Sequence, residues 1–485
     1  VNRSFSVNLL FLLLLNVIVK PVWLFGIEVG VQNAVGAEAY GVYYALFNFT
    51  FLFNIILDMG INNFQRASAA RDGEKGRSDL FQLVVLKLLL AIAYIAVSSI
   101  TAYSVGYPKD YWFFIGLLML NQVLLACLQL FRATIAGLHY FFRDSILSIT
   151  DRVVLIALIG YLLLFDREAV NIRWFVMAQT AAYVVSLSLA ILLLPKAKSK
   201  SMPSFRLSKF FGVIKETYPY GLLILFMTGY YKIDGVMLER LLPNGEEAAG
   251  IYAQAYRLLD AGNNFAFLYA GLLLPMFARM LHSAKEEVNG LANQASILLI
   301  APAGLIACVC LFWGADLMNL LYHEHADQSF QALTWLMGSF VFVALGNVFG
   351  TLITASGKLR ALIALAALTF VVNIALNALL IPQWAAKGAA MASFFSLTVM
   401  AGGQLIISWK NFQVDRWRWL WMSLLLWVIS VLVLGGVHRF LSLTWWVELS
   451  LGLSMCIALY FWLFRQEIFV GIRQIVAGKT NVVDD

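Results

Sequence analysis

The sequence predicts an all-α protein that lies almost wholly within a membrane, and three observations carry that prediction. Hydrophobic residues make up 61% of the 485 and charged residues 13%, with a mean hydropathy of +0.81, a balance that soluble domains do not show. About 14 separate stretches are each apolar for roughly 20 residues, the length of helix that crosses a hydrocarbon core of about 30 Å. None alternates polar and apolar residues with a period of two. Barrel strands are therefore excluded, and helices, which satisfy every backbone group within their own segment, remain.

The first stretch, residues 8 to 33, follows Arg3 in the manner of a signal peptide. It runs on through Lys20 and Pro21 without a cleavage site and is expected to stay as the first span. Spans 40 to 62 and 79 to 105 flank a basic segment with Arg66, Arg71, Lys75 and Arg77. Spans 111 to 135, 148 to 165 and 171 to 195 complete a group of six. The longest polar interruption, Lys196 to Ser208, reads as a linker, and spans follow at 209 to 240, 248 to 278, 292 to 313, 330 to 355, 359 to 382, 385 to 409, 417 to 437 and 443 to 464. The expected domains are a six-helix bundle over 1–200, a second over 201–412, and two further spans with a tail over 413–485.

Lysine and arginine set the orientation. With a cytoplasmic N-terminus, the inner loops and tails collect roughly 21 basic residues, including Lys196, Lys198, Lys200, Arg206 and Lys209, against about 6 outside, such as Lys109, Arg167 and Lys387. Both termini are thus expected in the cytoplasm. The net charge of +7 reads as this topology signal and not as nucleic-acid binding. Cys127, Cys308, Cys310 and Cys456 all fall in apolar runs as small hydrophobes, with no disulfide framework or zinc spacing. The sequon at Asn48 lies inside the second span, out of reach of a transferase.

An internal repeat supports the division after six spans. Gly36-Ala37-Glu38-Ala39-Tyr40-Gly41-Val42-Tyr43, just before the second span, reappears as Gly245-Glu246-Glu247-Ala248-Ala249-Gly250-Ile251-Tyr252 before the eighth. Each of the two helices ends near a Phe-x-Arg, Phe64 to Arg66 and Phe277 to Arg279. An even number of spans separates the copies, so the two bundles would run parallel and be related by an axis along the membrane normal.

At these residues the chain resembles the multidrug/oligosaccharidyl-lipid/polysaccharide exporter superfamily, and within it the flippases for O-antigen and capsule repeat units. The resemblance rests on the Gly-x-Glu-x-x-Gly-x-Tyr opening at Gly36, the run Asn48 to Phe64 with Ile56-Leu57-Asp58-Met59-Gly60-Ile61, the repeat at Gly245 and the six-plus-six-plus-two plan. It implies a V-shaped pair of bundles around a cavity that opens to each side in turn. It also implies a bacterial inner-membrane protein that moves an oligosaccharide on undecaprenyl diphosphate, with membrane lipids and, beyond them, a polysaccharide polymerase and chain-length proteins as partners. No cofactor is implied. Such a chain should carry buried positive charge.

Lys20 stands near the middle of the first span, too central to reach the headgroups, where a lysine costs about 2.5 to 3.5 kcal/mol. Lining the cavity to meet the diphosphate is one role for it, and a structural ion pair is the other. Lys232 is a second candidate, with an interfacial anchor beside Tyr230 and Tyr231 as its alternative; Arg257 is a third, although Asp260 three residues on could neutralise it. Arg132 and Arg152 are further substrate-binding candidates at inner helix ends, where snorkelling also explains them, and Lys87 is similar. Asp58, Asp234 and Asp260 suit either Na⁺ or H⁺ coupling or service as counter-ions, and the counter-ion role is favoured. Glu28 reads as an interface residue.

Amides such as Asn16, Asn54, Gln122, Gln129, Asn373 and Asn377 suit sugar hydroxyls, though interhelical bonding is their commoner use. Trp23, Trp112, Trp174, Trp313, Trp417 and Trp419 are expected in an interfacial belt. Pro21, Pro219, Pro275 and Pro302 are expected to bend their helices, and Pro21, next to Lys20, makes the first helix the candidate for flexing.

His323-Glu324-His325 lacks the i, i+4 spacing of helical zinc motifs, and no Walker A, GxGxxG or GxSxG sits in a strand-turn-helix setting. Outer loops of about 5 to 17 residues leave little room for a membrane enzyme's catalytic groups. The alternatives to a lipid-linked oligosaccharide flippase are an ion-coupled multidrug or small-molecule exporter of the same superfamily and, further off, a polysaccharide polymerase.

Overall fold

Helix is the only regular structure among the described residues, which in this computed structural model are 18–72, 80–195, 207–283, 287–412, 417–441 and 443–477. Asn16, Lys75, Arg77 and residues 196–206 of the expected linker lie outside them. A π-helical stretch, Val22–Glu28, leads into α1 (Val29–Leu52), followed by α2 (Ile55–Asp58), α3 (Ile61–Asp72), α4 (Leu80–Val105), α5 (Trp112–Gly137), α6 (Phe141–Phe165) and α7 (Ile172–Leu193). Then come α8 (Leu207–Leu241), α9 (Gly245–Ser283), α10 (Val288–Leu321), α11 (Ala326–Ala355), α12 (Leu359–Phe412), α13 (Trp417–Phe440) and α14 (Trp445–Ala477).

Among the described residues, 11 helices are long and apolar enough to cross a membrane, or 12 with the bent pair Ile18–Leu52 and Ile55–Arg71, against about 14 expected spans. The difference arises where a run of helix carries one non-helical residue. In α1 this is Gly36 (φ 83°, ψ 166°), the first residue of the repeat, and in α12 it is Ala385 (φ 45°, ψ −127°). At about 1.5 Å per residue, α12 is far longer than one hydrocarbon core. It folds back on itself: Asn373 Nδ2 donates to Ser396 Oγ at 3.2 Å and Thr369 Oγ1 to Met400 Sδ at 3.6 Å, pairs almost symmetric about Ala385.

The chain divides into two compact units, Val1–Glu239 and Arg240–Asp485. The boundary falls near the end of α8, whereas the expected linker precedes that helix. Within the first unit α8 is pressed closely onto α1. A Cβ added at Gly235 would stand 2.5 Å from Asn48 Nδ2 and 2.8 Å from Tyr44 Cε1, so only glycine permits this approach. In the same unit α5 is central, packing on α7, α3 and α1. In the second unit α11 takes that place against α12, α9 and α10.

Lipid tails are as apolar as leucine, so helices in a bilayer are held by close packing and polar bonds rather than by the hydrophobic effect. One such bond recurs in both units at matching positions of the repeat. Gln179 Nε2 on α7 donates to the Tyr43 hydroxyl at 2.7 Å, and the Tyr252 hydroxyl shares a hydrogen bond with Ser393 Oγ on α12 at 3.3 Å. Gln179 stands seven residues after Ile172, where α7 begins, and Ser393 seven after Ala386, where α12 resumes. The last tyrosine of each octapeptide thus ties its helix to the same turn of a corresponding helix.

α13 and α14 both pack on α10, through Leu305, Trp313, Leu434, Val437 and Cys456, and Trp427 Nε1 donates to the Ala301 carbonyl at 3.1 Å. This corrects part of the expected aromatic belt. Trp313 is only 1% exposed, set edge-on to His438 at 5.6 Å, and Trp419, also 1% exposed, lies 5.8 Å from Phe349. Both serve packing inside the second unit. Trp174, at 54% exposed, has the accessibility of a belt residue.

Candidate functional site

Polar residues are concentrated around a break in the second span. After Leu52 the helix continues only as the single turn α2, then passes through Met59 (φ 43°) and Gly60 (φ 85°) before α3 begins. Irregular backbone at membrane depth persists only where protein or water satisfies it. Asp58 supplies part of that: its Oδ1 accepts from the Asn62 backbone N–H at 3.3 Å and pairs with Lys87 Nζ of α4 at 3.0 Å. Lys87 is 1% exposed and Asp58 25%. Asp58 and Lys87 thus form an ion pair between the broken span and α4.

The same side of the broken helix carries further bonds. Tyr94 of α4 donates to the Thr50 carbonyl at 2.9 Å, and Asn54 Nδ2 donates to Gln122 Oε1 of α5 at 2.7 Å. Asn62 Nδ2 reaches Gln129 Oε1 at 3.4 Å and Gln65 Nε2 reaches Thr134 Oγ1 at 3.1 Å. Asn54 and Asp58 lie before the Met59–Gly60 break and Asn62 and Gln65 after it, so polar bonds on both sides fix the break against α4 and α5. Asn54, Gln122 and Gln129 thus take the interhelical role.

The candidate cations fall in different surroundings. Lys20 is half-buried in the first described turn, directly before Pro21 and the π-helical stretch. There Trp23 stacks on Phe175 of α7 at 6.2 Å, and Phe175 meets Tyr43 edge-on at 5.1 Å. π-Helical insertions often accompany functional sites. Glu28, at the end of that stretch, accepts from the Tyr40 hydroxyl at 2.7 Å across Gly36, and so does more than sit at an interface. Lys232 on α8 is half-buried with Nζ 5.9 Å from the centre of the Phe51 ring, and Asp234, two residues on, is buried. Arg132 Nε pairs with Asp144 Oδ1 at 2.8 Å, and Arg152 Nη1 donates to the Ser148 carbonyl of its own helix at 3.3 Å. These two are anchored within α5 and α6.

In the second unit Arg257 is 5% exposed, and its Nη1 donates to the Tyr322 hydroxyl at 3.2 Å. That hydroxyl donates in turn to the Gln254 carbonyl at 3.4 Å. The Gln254 side chain bonds Ser329 Oγ and, through Nε2, the Glu324 carbonyl at 3.3 Å. His325 Nε2 lies 3.1 Å from Glu247 Oε1, so the segment between α10 and α11 is tied to the start of α9 at several points. Asp260 is half-buried, and its backbone carbonyl accepts from Asn264.

The sequence profile of the family described as polysaccharide biosynthesis protein matches residues 6–281, more than half of the chain. The chain belongs to that family. Among curated proteins, the probable lipid II flippase MurJ of Rhizobium tropici is 23% identical over 452 residues, covering 89% of this chain and 78% of the relative. Among solved structures, lipid II flippase MurJ in an inward closed conformation aligns with a TM-score of 0.73 at 14% identity, over 94% of this chain and all of that one. An inward-facing multidrug resistance MATE transporter of the MOP superfamily aligns with a TM-score of 0.56 at 15% identity, over 79% and 94%. The chain thus has the helical fold of these two solved structures.

In this member of the polysaccharide biosynthesis family, sequence reasoning singled out Arg257 and Asp58 but passed over Tyr322 and Asp144, which bond Arg257 and Arg132, and Gln254, whose carbonyl accepts from Tyr322. Tyr322 stands at the end of an apolar run with nothing in the sequence to mark its partner. Its pairing with Arg257, 65 residues away, has no local signature.

Proposed function

We propose that this protein is a flippase that carries undecaprenyl-diphosphate-linked oligosaccharide repeat units across the bacterial inner membrane for surface polysaccharide synthesis. The observation that supports the reading is the joining of a polysaccharide biosynthesis family to a transporter fold with cations held inside membrane helices, Arg257 nearly fully buried among them. A buried arginine or lysine in a span marks a substrate or ion path by default. A diphosphate offers the charge-assisted acceptors that such groups bind most strongly.

In this reading Lys20, Lys232 and Arg257 contact the diphosphate, and Arg132 and Arg152 guide it near the inner ends of their helices. Asp58 serves as counter-ion to Lys87, while Asp234 and Asp260 take the Na⁺, H⁺ or counter-ion roles. The chain works as a bundle over 1–200, a second over 201–412 and two added helices over 413–485, with both termini cytoplasmic, by alternating access and without an enzymatic step. The MurJ relative's lipid II points to the same class of lipid-linked substrate, which leaves the sugars as the distinguishing part. The MATE-like fold favours a small-molecule exporter as the second reading.

The test is translocation of a fluorescent undecaprenyl-diphosphate oligosaccharide in proteoliposomes. Wild type should transport it, and Lys20→Ala combined with Arg257→Ala should not. Undiminished transport by the double variant would refute recognition by these charges. A folded wild type that moves no lipid-linked saccharide would favour the small-molecule exporter.

A further inference from the structure

Helix α5 is exposed on two sides of opposite character. Phe113, Gly116 and Leu120 form an apolar stripe at helical spacing. Between Leu120 and Gly137 the one exposed residue is Gln129. It comes nine positions after Leu120, about two and a half turns on, and so opens on the side away from that stripe. A polar side chain open within a membrane helix meets water or a polar ligand rather than lipid. On the neighbouring α3, Asn63 and Arg66 are exposed as well. Asn62 Nδ2 donates to Gln129 Oε1 at 3.4 Å, and the Asn62 backbone N–H is itself held by Asp58 Oδ1 at 3.3 Å. That bond occupies the acceptor end of the Gln129 amide, and the Nε2 end makes no hydrogen bond among the described residues. Three residues on, about 4.5 Å further along α5, Arg132 places Nε on Asp144 and keeps its two terminal nitrogens as donors.

We propose that Gln129 is a specificity residue for the saccharide: its Nε2 donates to a hydroxyl oxygen of the sugar joined directly to the diphosphate, and Asn62 fixes the amide for that contact. This rests on Arg132 guiding the diphosphate, as the functional reading has it. Residues three apart share a helix face, so a substrate whose diphosphate meets Arg132 brings its first sugar to Gln129. The chemistry divides in the same way. The guanidinium supplies the charge that a phosphate binds most strongly, and the neutral amide supplies a directed donor for an uncharged hydroxyl oxygen. Holding the amide through Asn62 removes rotamer freedom that binding would otherwise cost.

The experiment measures binding in lipid nanodiscs of bare undecaprenyl diphosphate and of the same lipid bearing one sugar, with glucose, galactose and N-acetylglucosamine as the panel, for wild type and Gln129→Met. Methionine keeps the length of the side chain without its donor, and a melting curve checks that the protein remains folded. In wild type at least one sugar should tighten binding about fivefold over the bare lipid, the worth of one neutral hydrogen bond. Gln129→Met should abolish that gain and leave binding of the bare lipid unchanged. A merely structural glutamine would weaken both forms equally. Equal weakening, a gain that survives in Gln129→Met, or no gain in wild type from any sugar of the panel would each overturn the proposal. Failure of wild type to bind bare undecaprenyl diphosphate would instead overturn the functional reading on which it stands, and that arm separates the two.

Discussion

Removing the ammonium that faces the broken second span gives a quantitative test of what holds that break. Lys87→Met keeps the length of the side chain but leaves Asp58 facing helix α4 without its 3.0 Å partner. Breaking a buried ion pair by deleting one member costs about 3 to 5 kcal/mol, because the remaining charge stays desolvated. Asp58 is 25% exposed, so the lower end, about 3 kcal/mol, applies. The first unit spans Val1–Glu239, a size for which 1 kcal/mol moves a melting midpoint by about 2 to 4 °C. Lys87→Met should therefore melt roughly 6 to 12 °C below wild type in detergent. Asp58→Asn in the same background removes the stranded charge and keeps an acceptor for the Asn62 N–H, so the double variant should recover most of the loss. Thermal melting of the wild type, both single variants and the double variant provides the cycle. If the two single losses simply add, the pair is not coupled and the account of the break is wrong.

Three further substitutions probe other contacts. Gly235→Ala places a methyl group against Asn48 and Tyr44 of α1 and should cost about 1 to 3 kcal/mol by overpacking, read as a lower melting midpoint; an unchanged midpoint would show that α8 can shift away freely. Tyr43→Phe and Tyr252→Phe each remove one tyrosine hydroxyl from equivalent bonds and should each lose about 1 kcal/mol, so markedly unequal losses would argue against the equivalence of the two repeats. Trp427→Ala should loosen α13 from α10 by about 3 kcal/mol, read as a lower melting midpoint, with a midpoint equal to wild type as the refuting result.

Helix class and approximate span positions were legible in the sequence because apolar length is a local property that lipid enforces residue by residue. The turns at Gly36 and Ala385 were legible to different degrees. A glycine heading a repeated octapeptide advertises a break, whereas an alanine at φ 45° does not, and only the surrounding polar pairs reveal that α12 folds back there. The repeat was read from eight residues, and the structure adds Gln179 and Ser393, which differ in chemistry and could not be aligned by identity. Individual charges were easy to find and their partners hard. Asp58 and Lys87 are 29 residues apart and Arg132 and Asp144 are 12 apart, and neither separation is fixed by any local period. Trp313 and Trp419 misled for a related reason: proximity to a helix end fits a belt residue and an inward-facing one equally well until packing is known.

In a bilayer, burial of leucine does not separate an interior from a surface, since both are apolar. The informative quantity is the kind of partner each polar group has. A carboxylate partner, as for Lys87, turns a cation into structure, and its removal should chiefly be felt as lost stability. Arg257 and Lys232 are, in the functional reading, cations that meet the diphosphate, where a charge-assisted contact is felt as binding. Substitutions at Arg257 and Lys232 should thus separate from those at Lys87 in one comparison. The first two should lower transport of a lipid diphosphate by more than their change in melting midpoint accounts for, and the last should lower the midpoint first. If all three variants fell on a single line relating transport to stability, the division between structural and substrate-contacting cations would have no functional content.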